Sequence, residues 1–85
     1  MVDINTACEM VIKGSPFERV ETATDIGHSF VLGMAGINGE QIDRPPFMVN
    51  KQTGNISVCF PPLHWDELKK GKLIEIPVKY QPTKM

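Results

Sequence analysis

The clearest pattern of apolar positions lies near the start of the chain, over residues 4–13. Apolar residues recur there at i, i+3, i+4, i+7 and i+8 and so share one face of an α-helix: Ile4, Ala7, Cys8, Val11 and Ile12. Asp3 is placed to cap this helix, and Gly14, followed by Ser15-Pro16, predicts a left-handed glycine at its end. We expect the apolar face to pack on a sheet.

Two extended segments after this helix predict a β-hairpin. Residues 17–24 contain the Val and Thr typical of strands, and residues 28–34 form the second strand after a turn at residues 25–27. Alternation in the second strand places three apolar side chains on one face, which we expect to face the core: Phe30, Leu32 and Met34.

A second hairpin is the strongest local signal in the chain. Residues 46–50 and 55–60 flank a turn in which Gly54 takes the left-handed position. Five side chains are expected to line one common face: Phe47, Val49, Ile56, Val58 and Phe60. The reverse face would carry Met48, Ser57 and Cys59 and would be mildly apolar.

A short helix is predicted after the second hairpin. Pro61-Pro62 ends the strand, because proline has no amide to donate and restricts the residue before it. The helix covers residues 64–70, with Trp65 and Leu68 on one side and Gly71 at its end.

The chain closes with a predicted edge strand. Residues 73–80 alternate with Ile74, Ile76, Val78 and Tyr80 on one face, and Pro77 would interrupt a central ladder. Residues 81–85 are expected to form a frayed tail.

The order of elements is therefore α-β-β-β-β-α-β, which predicts the α+β class. We expect a mostly antiparallel sheet of four to five strands, an N-terminal helix packed on one face, and a short helix near the C-terminus. A chain of 85 residues can close only one hydrophobic core, so residues 1–85 should form a single domain.

Composition narrows the class of protein. Nine basic and ten acidic residues give a net charge of −1, which favours neither a nucleic-acid binder nor a strongly acidic DNA mimic. The longest apolar run is about five residues, far short of a membrane span, so no membrane association is expected. The first residues lack a basic leader and a long apolar stretch, which makes the cytoplasm the default location.

The two cysteines, Cys8 and Cys59, are candidate nucleophiles. His28 or His64 could serve either thiol as a base, but no spacing favours such a pair. Cys8 belongs to the apolar helix face and is interpreted as a packing residue, whereas Cys59 on the reverse sheet face keeps a minor reactive alternative.

No cofactor or metal motif is present. His64, Asp66 and Glu67 stand close in sequence, but positions i, i+2 and i+3 of one short helix do not converge on a metal ion. The glycine-rich residues 33–39 lack the Lys-Ser/Thr ending of a P-loop. We expect no catalytic residue, no cofactor and no metal.

The loop over residues 35–46 is the best candidate for a contact surface, because long irregular loops in small domains are often functional. Trp65 is interpreted either as a core residue or as a contact anchor, and it is the best single candidate for a hot spot. The residues predicted to bind a partner are Asn38, Glu40, Gln41, Asp43, Arg44 and Trp65.

Residues 46–56, PFMVNKQTGNI, resemble a hairpin of small bacterial immunity proteins of the YrhB-like group, with the pattern P-[FI]-hydrophobic-V-[DN]-K-x-[TS]-G-x-[IV]. Similar hairpins occur in PepSY-like modules. The resemblance extends in outline over about the first 60 residues and implies a non-enzymatic inhibitor that binds a cognate toxin. The C-terminal third has no counterpart in that group, and no contact residue carries over.

We therefore expect a non-enzymatic protein-binding module, with the immunity-type inhibitor as its specific form. The alternative is a small self-assembling structural or phage-type protein that uses an edge strand or the reverse face bearing Met48 and Cys59. An enzyme with an unrecognised site is the third hypothesis. The expected partner is another protein or a second copy of the chain.

Overall fold

The computed structural model describes residues 1–83 and confirms the α+β class and the predicted order of elements. The helices are α1 (Ile4–Gly14) and α2 (Trp65–Lys70), with short 3₁₀ turns η1 (Pro61–His64) and η2 (Val78–Tyr80). The strands are β1 (Glu18–Asp25), β2 (Ser29–Gly36), β3 (Phe47–Asn50), β4 (Ile56–Val58) and β5 (Lys72–Leu73). They form one antiparallel sheet in the order β4-β3-β2-β1-β5.

Helix α1 begins as predicted and ends differently. The Asp3 carboxylate accepts a hydrogen bond from the Thr6 amide at 2.8 Å, which caps the first turn and lowers the pKa of Asp3. Gly14 stays in the helix without a positive φ, so the predicted left-handed stop is wrong. The helix ends at Gly14, and the capping residue Ser15 leaves helical geometry with φ −141° and ψ 72°, because the following Pro16 disfavours helical geometry in the residue before it.

The main core lies between α1 and one face of the sheet. Ala7, Cys8 and Val11 on the helix join Leu32 and Val49 from the central strands, and all five are buried. Phe30 and Leu32 point to this core as predicted, and Met34 is partly buried against it. The packing of a well-defined apolar stripe on three strands supplies most of the buried apolar surface.

The opposite face of the sheet is also covered. Thr24 pairs with Val31, and both lie on the face away from α1, since their neighbours Ala23 and Leu32 belong to the main core. Val31 is nevertheless only 4% exposed. A Cβ on Gly71 would lie 2.6 Å from Thr24 Cγ2, so the end of α2 rests on this second face.

The predicted last strand is confirmed only at its start. β5 pairs with β1 over two residues, at the edge of the sheet as expected, and the chain leaves the ladder afterwards. Pro77 has no amide, and the chain turns there into η2, which buries Tyr80 and leaves Val78 exposed. The prediction of a continuous strand over residues 73–80, with Val78 and Tyr80 on one face, is therefore wrong.

The tail is attached to the domain as far as the structure describes it. The Gln81 side chain donates to the Ile76 carbonyl at 2.6 Å, and the Thr83 amide donates to the Ile37 carbonyl at 2.6 Å. The frayed tail was predicted over residues 81–85, of which 84 and 85 lie outside the described residues. Within residues 1–83, neither helix has the length and apolar character needed to cross a membrane.

Alanine substitutions at two glycines should change stability in opposite directions. Gly14 is helical, and an added Cβ would meet no atom within 4 Å, so Gly14→Ala should raise the free energy of unfolding by about 0.5–1 kcal/mol. Gly54 has φ +75°, so Gly54→Ala should lower it by about 1–2 kcal/mol. Urea unfolding measures both, and a destabilised Gly14→Ala variant would contradict the helical assignment.

Candidate functional site

Five of the predicted contact residues lie in the loop between β2 and β3, and the structure gives this loop a defined turn. The Gly36 amide donates to the Glu40 carbonyl at 2.8 Å, and the Glu40 carboxylate accepts from the Asn38 amide at 2.8 Å. Gly39 takes φ +87° within the same turn. Glu40 therefore uses its charged group to shape the loop, while Asn38 remains exposed.

Of the other loop residues, one is held by contacts within the protein and two have exposed side chains. Arg44 forms an ion pair with Glu18 and lies over the Phe47 ring, with 4.5 Å from the guanidinium carbon to the ring centroid. This pair fastens the loop to the start of β1. Gln41 forms a single β-bridge to the end of β2, and its side chain and that of Asp43 are exposed. The loop is an ordered surface with part of its charge already engaged.

Trp65 is the first residue of α2 and is 63% exposed. The core interpretation of this residue is therefore wrong, because α2 turns only Leu68 and Glu67 partly inward. An indole ring left in water loses the stabilisation that burial would give. Exposed aromatic side chains of this kind are typical of contact anchors.

Trp65 ends a row of exposed apolar side chains, which we call the apolar segment (residues 56–65). Its members are between 43% and 77% exposed: Ile56, Val58, Phe60, Leu63 and Trp65. The predicted register of Ile56 and Val58 with Val49 and Phe47 is correct, but α1 packs mainly on β1, β2 and η2 and leaves β4 uncovered. Apart from Trp65, these residues were not predicted to contact a partner, although residues 52–65 contain no Asp, Glu, Lys or Arg.

The apolar segment and the loop meet at one end of the sheet. The Cys59 amide donates to the Pro46 carbonyl at 2.8 Å, which joins the exit of β4 to the last residue of the loop. Phe47 pairs with Val58 next to this contact. The structure thus joins the chain that leads to Leu63 and Trp65 to the end of the predicted loop at Pro46.

Glu67 of α2 is the centre of a polar network. One Glu67 carboxylate oxygen is 2.5 Å from His28 Nε2, and the second is 2.8 Å from His64 Nδ1. His28 Nδ1 is 2.8 Å from Ser29 Oγ. Glu67 and His28 are 39 positions apart, so no sequence spacing could have indicated this contact.

The carboxylate of Glu67 determines which histidine ring nitrogens carry hydrogens in this network. A carboxylate can only accept hydrogen bonds, so His28 Nε2 and His64 Nδ1 must both carry hydrogens. His64 first and His28 second lower the pKa of Glu67. The network links α2 to the start of β2 and favours the charged form of Glu67, whose side chain is 39% exposed.

The order Ser29, His28, Glu67 resembles the connectivity of a hydrolase triad, but the hydroxyl is not accessible. Ser29 is 1% exposed, and its oxygen is bonded to the imidazole beside it. A nucleophile must reach a substrate carbonyl, and this oxygen faces protein atoms. The arrangement acts as a tether between α2 and the sheet.

Both thiols are buried and held in the neutral form. Burial raises the pKa of Cys8 to about 11, and burial together with the charge of Glu67 raises the pKa of Cys59. A thiolate nucleophile needs the opposite shift. Cys8 packs in the core as predicted, and Cys59 is fully buried, so the reverse face cannot offer it to a second copy.

Among residues 1–83, no three His, Cys, Asp or Glu side chains are placed so that they could hold a metal ion. His64 and Glu67 do meet, but as hydrogen-bond donor and acceptor.

Comparison of this chain with protein-family models, with curated proteins and with solved structures gave no match. The resemblance of residues 46–56 to immunity proteins stays a prediction from sequence. The interpretation of the site therefore rests on its geometry.

Replacing Glu67 should reduce stability in a pH-dependent way. Because the pKa of Glu67 is lowered, its charge stabilises the folded chain above the ordinary pKa of 4.5, and this contribution is lost as the pH falls through the lowered pKa. Glu67→Gln should therefore be less stable than the original chain near neutral pH, with a difference that shrinks in acid. Urea midpoints between about pH 7 and about pH 3 measure this.

Asp66→Asn is the matched control, since it removes an equal charge from the same helical turn without breaking the network. Equal effects of the two substitutions at neutral pH would show that the histidine contacts contribute nothing.

Gly71→Ala should destabilise the chain by about 1–3 kcal/mol through overpacking. The new Cβ would lie 2.6 Å from Thr24 Cγ2 and 3.0 Å from the Asp25 carbonyl oxygen. Adding Thr24→Ser removes the methyl group and should restore part of the loss, as measured by urea unfolding. An additive double variant would contradict the contact.

Proposed function

We propose that this chain is a non-enzymatic protein-binding module. Its partner surface consists of Phe60, Leu63 and Trp65 together with the loop over residues 38–44. The observation that carries the proposal is the exposure of three large apolar side chains within six residues, each more than half exposed. Clustered apolar side chains in water are typical of contact surfaces.

The local backbone supports this role. Pro61 and Pro62 restrict the chain between Phe60 and Leu63, and η1 leads directly into α2. Side chains on a stiff backbone lose less conformational freedom on binding, which increases the affinity obtained from each contact.

The loop supplies a polar border to this apolar centre. Asn38, Gln41 and Asp43 are exposed, and the Cys59 to Pro46 hydrogen bond attaches the end of their loop to the apolar segment. An apolar centre with a polar rim is the usual anatomy of a protein interface. Glu40 and Arg44 serve this surface by holding the loop in shape.

The chemistry of the interior supports a function without catalysis. The thiols of Cys8 and Cys59 have raised pKa values, and the Ser29 hydroxyl is buried. The balanced charge of −1 supports a protein partner over nucleic acid. Two unpaired thiols favour a reducing compartment, so we assign the chain to the cytoplasm.

The specific form that we propose is an immunity-type inhibitor of a bacterial toxin. The hairpin over residues 46–56 carries the resemblance, and its end at Pro46 adjoins the partner surface. The bound partner would then be an enzyme whose activity the chain blocks.

The full chain, immobilised, should retain one stoichiometric protein from a lysate of the source organism, tested first on products of neighbouring genes. Leu63→Ala and Trp65→Ala should each weaken that complex by about tenfold or more, measured by calorimetry, because anchors dominate interface energetics. A retained toxin should lose its activity when an equimolar amount of the chain is added.

Leu73→Ala is the matched control: Leu73 is 83% exposed, as Leu63 is 77% exposed, but it lies at the opposite edge of the sheet. This variant should bind within about twofold of the original chain. Equal losses at both leucines would refute the proposed surface, and a folded bait that retains nothing would count against a binding module.

A further inference from the structure

The two edges of the sheet are protected very differently. β5 is only two residues long, begins with Lys72 and directly follows Lys69, Lys70 and Gly71. Short length and lysine side chains both keep an edge strand from pairing. β4, the other edge, lies in the charge-free stretch of residues 52–65. In the described part of the chain nothing pairs with its outer side.

The hydrogen bonds between β3 and β4 show which backbone groups of β4 are free. The Asn50 amide donates to the Asn55 carbonyl at 3.0 Å, and the Cys59 amide donates to the Pro46 carbonyl at 2.8 Å. Hydrogen-bonded pairs alternate along an antiparallel ladder, so the Ser57 backbone groups bond to β3.

Ile56 and Val58, on either side of Ser57, therefore direct their amides and carbonyls away from the sheet. Four backbone groups, two donors and two acceptors, face outward along β4.

This arrangement is complementary to itself. A second β4, antiparallel and centred on Ser57, would place Ile56 of each copy opposite Val58 of the other. Each pair would exchange two backbone hydrogen bonds, four in total, in the required alternation. The side chains that meet are apolar, 43% and 58% exposed, and lie on one face. No charge opposes their approach.

We propose that β4 pairs with β4 of a second copy of this chain about a two-fold axis at Ser57, joining two five-stranded sheets into one of ten strands. The pairing closes at the dimer, because only the lysine-flanked β5 edges remain. This inference goes beyond the proposed function, since it uses the β4 backbone and leaves Leu63 and Trp65 free.

Sedimentation equilibrium of the full chain from about 1 µM to about 1 mM should show a mass rising from monomer to dimer, as expected for a small interface. Ile56→Lys and Val58→Glu should each weaken the dimer by about tenfold. The double variant I56K/V58E should recover most of the loss, since the new lysine of one copy faces the new glutamate of the other. Leu73→Lys at the opposite edge should have no effect.

A second variant tests the backbone directly. Val58→Pro removes an amide that β3 does not use, so it should abolish the dimer while circular dichroism still shows a folded chain. A monomeric mass throughout, a double variant no better than the single ones, or a dimer that survives Val58→Pro would each overturn the proposal. Loss of a partner through Leu63→Ala, with the dimer intact, distinguishes the two surfaces.

Discussion

The central strand of this sheet is buried on both of its faces, and the rest of the fold depends on covering it. Leu32 is fully buried on the α1 side, and Val31 is 4% exposed on the other. An eleven-residue helix with an N-cap and a broad apolar face covers the first side. The second side is covered by a helix of six residues without a side-chain cap, too short to be stable by itself. Helix α2 is instead attached to the sheet by the hydrogen bonds of Glu67 with His28 and His64.

The parts of the fold that depend on residues close together in the sequence could be predicted from it. The stripe from Ala7 to Val11, the turn at Gly54 and the alternation through Phe30 and Leu32 each follow from a few adjacent residues. The C-terminal strand failed because alternation alone cannot show where a chain leaves a ladder. Pro77 was interpreted as the mark of an edge, whereas it also turns the chain and brings Tyr80 into the core.

The candidate site was less predictable, because it depends on contacts between residues that are far apart in sequence. Trp65 was identified by residue type, but its exposure depends on how α2 sits on the sheet. Ile56 and Val58 were correctly placed on one face with Phe47 and Val49, but alternation does not show whether that face is covered. Their exposure follows from the position of α1, which packs mainly on β1, β2 and η2 and leaves β4 uncovered. The long-range contact of Glu67 with His28 has no sequence signature.

The burial of Cys59 gives the molecule an internal reporter of its own motion. The thiol is fully buried near Glu67, and its pKa is raised by that burial. A buried thiol reacts with an alkylating reagent only when the protein around it opens. The alkylation rate of Cys59 in the folded chain therefore measures how often this side of the sheet opens, without any added label. Cys8, on the buried face of α1, reports in the same way on the opposite side of the sheet.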